Sequence, residues 1–142
     1  MWPPEILLET GKLADITVGL GAEAGSAEQL ELYTKAASVG VLQPDVCMIG
    51  GVSEAVRALD ALAAHQVSVA PHTPFVGPAA LASLHLIAAM ERPAYFATIE
   101  AEDAMDPYGI GLTRWQPSID VPTGPGLGFD PDPDYVGCYA MK

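Results

Sequence analysis

The chain has 142 residues, half of them hydrophobic and 17% charged, enough for one domain with a real core and too apolar for a disordered segment. A formal net charge of −12 excludes nucleic acid and an anionic membrane surface as main partners. The most apolar stretch, 78–90, is too short to span a bilayer and contains His85.

Met1-Trp2-Pro3-Pro4-Glu5 lacks the basic and apolar regions of a secretory signal, so a cytoplasmic location is expected. Cys47 and Cys138, far apart in sequence, are expected as free thiols in a reducing compartment.

Residues 16–20 alternate apolar and small side chains as a half-buried strand does. After a loop over 21–25, Ser26 and Gln29 form a capping box that opens a helix. Leu30, Tyr33 and Ala37 share one face of it, and Gly40 is the expected stop. A second unit begins with a strand over 41–45. Its helix is expected over 53–65, with Ser53 as N-cap and an apolar stripe of Val56, Leu59, Leu62 and Ala63. In the third unit, a strand over 67–70 leads through the loop 71–76 into a nearly all-apolar helix over 78–90, with Pro78 in its first turn. A last strand over 94–99 ends at Glu100. From Asp103 onward the chain is rich in proline and glycine, with a short strand expected over 118–121.

Strands alternating with helices across short loops imply parallel strands joined by crossovers, an α/β fold. Four such strands suit either an open doubly wound sheet or a piece of a closed barrel, and periodicity does not choose between them.

Ionisable residues follow each expected strand: Glu23, Asp45, His72 and Glu100. In parallel α/β architectures the carboxyl ends of the strands form the ligand-binding face, so carboxylates and an imidazole there suit a metal or acid–base site. Taken singly, a carboxylate in such a place is ordinarily a helix cap or loop anchor. His65 reads as a cap near a helix C-terminus and His85 as a hydrogen-bonded interior residue. Gly124-Pro125-Gly126-Leu127-Gly128 opens no helix after a strand and has no following Lys-Ser/Thr, which excludes a nucleotide site.

Residues 43–54, Gln-Pro-Asp-Val-Cys-Met-Ile-Gly-Gly-Val-Ser-Glu, resemble the sixth-strand segment of the mandelate racemase/muconate lactonizing group of the enolase superfamily. Ala70-Pro71-His72, Gly77-Pro78 and Leu84-His85-Leu86 resemble its seventh strand and helix. Val121-Pro122 with the glycine-rich run after it is similar to its closing signature, and Trp2-Pro3-Pro4-Glu5 to the stretch past its fourth strand.

The resemblance implies a partial TIM-type (β/α)8 barrel. Strands five to eight would lie in residues 1–102, and residues 103–142 would be a C-terminal extension packed on the barrel within the same domain. It implies His72 as the base removing a proton α to a carboxylate, Asp45 as its orienting partner, and Glu100 as a protonated hydrogen-bond donor to the carboxylate as it becomes an enediolate. It also implies Mg2+. The family's third metal-ligand position falls on Ala22, so the neighbouring Glu23 is a metal candidate only if its loop readjusts. The other ligand strands and the capping domain are not in the sequence, and one carboxylate does not hold Mg2+ tightly.

The chain is therefore expected to be a C-terminal fragment of a Mg2+-dependent racemase or dehydratase acting on a small carboxylate of acid-sugar type. It would be inactive without the missing N-terminal half, with that half or a second copy of itself as partner. The competing expectation is a non-catalytic half-barrel that self-associates through its open sheet edges. An unrelated open-sheet binding domain would make the resemblance accidental.

Overall fold

The computed structural model describes residues 17–35, 39–65, 67–73, 76–91, 95–97 and 117–141. In chain order the elements are β1 (Val18–Leu20), α1 (Ala27–Thr34), β2 (Val39–Leu42), α2 (Val52–Leu62), β3 (Ser68–Val69), α3 (Pro78–Ala88) and α4 (Pro133–Cys138). The three strands form one parallel sheet in the order β1-β2-β3. Each connection between neighbours passes through a helix, as parallel pairing requires.

Alternation sets the two faces of this sheet. Leu42 is fully buried and Val69 is 2% exposed, whereas Val41 is half-buried and Ser68 exposed. The core lies on the Leu42 side, where Ala24, Leu30, Tyr33, Ile49, Ala55, Ala58 and Leu62 join one apolar cluster. A second cluster forms on α3, where Ala80, Leu81 and Leu84 pack against Phe96 and against Ile119, Val121 and Leu127 of the C-terminal segment. His85 Nε2 lies 3.0 Å from Leu127 O, so the interior histidine ties α3 to that segment. With apolar residues at nearly every position, α3 buries most of its circumference between the two clusters.

Several local expectations shift. Ser26 caps α1, its Oγ accepting from Gln29 N–H at 3.2 Å, but the Gln29 side chain reaches Gly25 N–H at 2.9 Å and not the backbone of Ser26. Leu30 and Tyr33 are buried on α1, while Ala37 lies outside the described residues. The helix ends at Thr34, and Gly40, expected as its stop, belongs to β2. Gly51 and not Ser53 is the N-cap of α2, with φ +103° and no side-chain cap bond. The buried positions of α2 are Ala55, Ala58 and Leu62. Of the expected stripe only Leu62 is fully buried: Val56 is 42% exposed, Leu59 is partly buried and Ala63 exposed. The alanines make the narrow side of the helix, which lets α2 approach its neighbours closely. Val56, Leu59 and Ala63 instead border an open groove shared with Leu86 of α3 and with Ala89 and Met90 just past its end.

Residues 95–97 of the strand expected over 94–99 form no strand, although Tyr95 N–H donates to Val69 O at 3.4 Å; the rest of that span lies outside the described residues. Residues 118–121 form no strand. Cys47 and Cys138 are both exposed and unpaired as disulfides. Among the described residues no helix is long and apolar enough to cross a membrane.

Candidate active site

The β2–β3 ladder continues past the last strand residues. Ala70 N–H donates to Leu42 O at 2.9 Å and His72 N–H to Pro44 O at 3.0 Å. The strand register pairs Val41 with Ser68 and Leu42 with Val69, and an unbroken ladder therefore pairs Asp45 with His72. The rung between them, Pro44 and Pro71, is fully buried on the helix-facing side, as alternation demands. Asp45 and His72 consequently share the opposite face with Val41 and Ser68.

Their side chains meet there: His72 Nδ1 lies 3.2 Å from Asp45 Oδ2. The other carboxylate oxygen, Oδ1, accepts from Cys47 N–H at 2.8 Å and Met48 N–H at 3.2 Å. Asp45 thus caps the turn that follows β2, and with a side chain only 3% exposed it is held by three donors. A carboxylate that accepts two amide protons is an acceptor for the ring as well, which places the neutral imidazole's proton on Nδ1 and its lone pair on Nε2. The His72 side chain is 37% exposed, so the ring has solvent access that its partner lacks. Such a pair can orient and hold an imidazole as a general base.

Glu23 does not join them. The β1–β2 register, Gly19 with Val41 and Leu20 with Leu42, would bring residue 23 level with Asp45 if the strand ran on. It continues only through the bond from Gln43 N–H to Leu20 O at 2.8 Å. Gly21, at φ +120°, then turns the chain, and Ala24 N–H closes the turn on Gly21 O at 3.0 Å. Glu23 is left exposed, Ala22 half-buried and Ala24 fully buried. Among the described residues no three His, Cys, Asp or Glu side chains gather as a metal site. The carboxylates among the described residues do not fit Mg2+, which takes near-octahedral oxygen ligation. Glu100 lies outside the described residues.

Two features at the strand ends carry no ionisable group. One is the pair of amides from Cys47 and Met48, signalled only by aspartate's preference for capping turns. The other is Thr73, 1% exposed, whose Oγ1 donates to Ala97 O. The Cys47 thiol is pushed above its ordinary pKa by partial burial and then by the negative charge of Asp45, which disfavours a reactive thiolate there.

Comparisons with known proteins agree on a family. A D-galactonate dehydratase of Verminephrobacter eiseniae (strain EF01-2) is 46% identical over 72 residues, 50% of this chain and 19% of its own length. A D-gluconate dehydratase of Thermoproteus tenax is 29% identical over 120 residues, 82% of this chain and 24% of its own. The chain therefore spans about a quarter or less of these relatives. Among solved structures, an enolase superfamily member from Polaromonas sp. JS666 superposes with a TM-score of 0.80 at 23% identity, over 98% of this chain and 38% of that one. A protein from Bordetella bronchiseptica RB50 assigned as a mandelate racemase, solved with 2-oxoglutarate/phosphate, has a TM-score of 0.75 at 27% identity over the same shares. The family described as enolase C-terminal domain-like matches residues 2–135, and the chain belongs to it.

Proposed function

We propose that this chain carries the general-base half of an acid-sugar dehydratase or racemase-like active site, with strands five to eight of a (β/α)8 barrel. The observation that carries the reading is the in-register pair of Asp45 and His72, 3.2 Å apart at the carboxyl end of the sheet. His72 Nε2 takes the proton α to the substrate carboxylate. Asp45, fixed by the two amides, keeps the ring in the tautomer that can accept it and stabilises the imidazolium that forms. The relatives' names support a sugar-acid substrate, and Glu100 is proposed as the donor to its carboxylate.

Membership in the enolase superfamily implies a divalent metal. Because the described residues do not fit one, no step is assigned to it, and the Mg2+ ligands are proposed to lie outside this chain. Activity then requires the rest of a barrel as partner. The exclusion of the exposed Glu23 favours one competing reading, a non-catalytic half-barrel that self-associates through its open sheet edges.

The test is co-expression with the N-terminal portion of a sugar-acid dehydratase, followed by NMR detection of α-proton exchange on D-gluconate or D-galactonate in deuterated buffer. Mg2+-dependent exchange is expected, with His72→Asn lowering it roughly 10²–10⁴-fold, the usual contribution of a general base. A reconstituted barrel whose exchange is the same with His72→Asn would refute the assignment. A stable homodimer that neither binds Mg2+ nor exchanges the proton would favour the module.

A further inference from the structure

We infer that Thr73 is a positioning residue for His72, its hydroxyl tying the chain just past His72 to residues 95–97 beyond a gap left by Pro71; the inference rests on the proposed role of His72 as base.

Residues 95–97 approach β3 through Tyr95 N–H, which donates to Val69 O. In a parallel ladder the same residue's carbonyl then accepts from the backbone N–H two residues on, at position 71. That residue is Pro71, which has no N–H, so this rung is absent. The next tie is made by a side chain: Thr73 Oγ1 donates to Ala97 O. Thr73 is 1% exposed and lies on the face opposite His72, so its hydroxyl has no water to replace a lost acceptor.

His72 is therefore held from two sides. Its own N–H is bonded to Pro44 O, toward β2. The residue after it is bonded toward residues 95–97. Between these ties the direction of the Cα–Cβ bond of His72 is fixed, which keeps the ring within reach of Asp45. Without the hydroxyl, residues 70–73 would lose this tie to residues 95–97, past the rung that Pro71 cannot make.

The experiment uses the chain by itself, labelled with 15N-histidine, and reads the His72 Nδ1 proton hydrogen-bonded to Asp45 by NMR. His85, bonded to Leu127 O, serves as the fold control. Thr73→Val, which keeps the shape and removes the donor, is expected to lose the Nδ1 proton signal while the His85 ring and backbone spectrum stay intact. Thr73→Ser is expected to retain it. A retained signal in Thr73→Val overturns the inference, as does a loss shared equally by Thr73→Ser. Should Thr73→Val fail to fold, Thr73→Cys, of similar size with a weak donor, must lose the signal. If it keeps the signal, or also unfolds, Thr73 serves the fold alone. A wild-type chain without the signal would instead overturn the Asp45–His72 dyad and the function built on it, an outcome distinct from an unaffected variant.

Discussion

The ends of β2 and β3 keep their ladder through Pro44 and His72, whereas β1 turns out of its ladder at Gly21. The registers alone would place Glu23, Asp45 and His72 side by side. One positive-φ glycine separates the first from the other two, and the sheet finishes with a base pair of residues in place of a three-residue cluster. Chemistry at strand ends is thus decided by how many rungs survive beyond the strand as well as by which residues occupy its end.

The largest effect should separate the two faces that this ladder defines. Leu42→Ala on the helix-facing side, where the side chain is fully buried, is expected to cost about 2–5 kcal/mol in urea unfolding. Val41→Ala, one residue earlier on the half-buried face, should cost clearly less. Equal losses would mean that the Val41 face is covered too, as in a self-associated chain, and light scattering on the same samples would identify that case.

The strand–helix alternation, the Ser26 cap, and the placing of Asp45 and His72 at strand ends were legible because each depends on spacing within a few residues. What was hidden depends on the third dimension. Gly40 reads as a helix stop because glycine marks both helix ends and close strand approaches. Val56, Leu59 and Ala63 are more bulky in total than the face of Ala55 and Ala58, yet a helix lying close to its neighbours buries the smaller side. The cap of α2 is a glycine with no side-chain bond, so Ser53 offered a better signal than the residue that serves. Thr73 acquires its role from a carbonyl 24 positions away, which no local pattern encodes.

A smaller effect should sharpen the contrast at β1. At Gly21 a Cβ would sit 2.7 Å from Leu30 Cδ2 and 3.3 Å from Gln43 N, on a backbone that side-chain-bearing residues rarely adopt. Gly21→Ala is expected to destabilise by about 1–3 kcal/mol through strain and crowding. Gly25→Ala, where a Cβ meets nothing within 4 Å, is the control and should be nearly neutral. If Gly21→Ala were as mild as Gly25→Ala, the turn would tolerate another geometry, and the exclusion of Glu23 from the row would lose its cause.

The smallest effect concerns the helices that hang from these same two strand ends. Arg57 of α2 bonds Glu28 of α1 at 3.2 Å through Nη2 and Glu54 at 2.9 Å through Nε, and Glu54 Oε1 accepts from Ala27 N–H at 3.4 Å. Glu28 is held below its ordinary pKa by its own backbone amide, then the Ser26 hydroxyl, then Arg57. Glu54 is lowered chiefly by its hydrogen bond from Arg57. A carboxyl whose folded pKa is depressed stabilises the fold above its unfolded pKa, and that stability disappears as pH falls through the folded value. Arg57→Met should therefore lower the urea midpoint slightly at pH 7, with the difference from wild type closing as the solution is acidified below the ordinary carboxylate value of 4.5. Because the guanidinium is 59% exposed, about 1 M salt should close most of the same gap at neutral pH. A difference that ignores both acid and salt would show that Arg57 joins α1 to α2 by packing its stem and not by its charge.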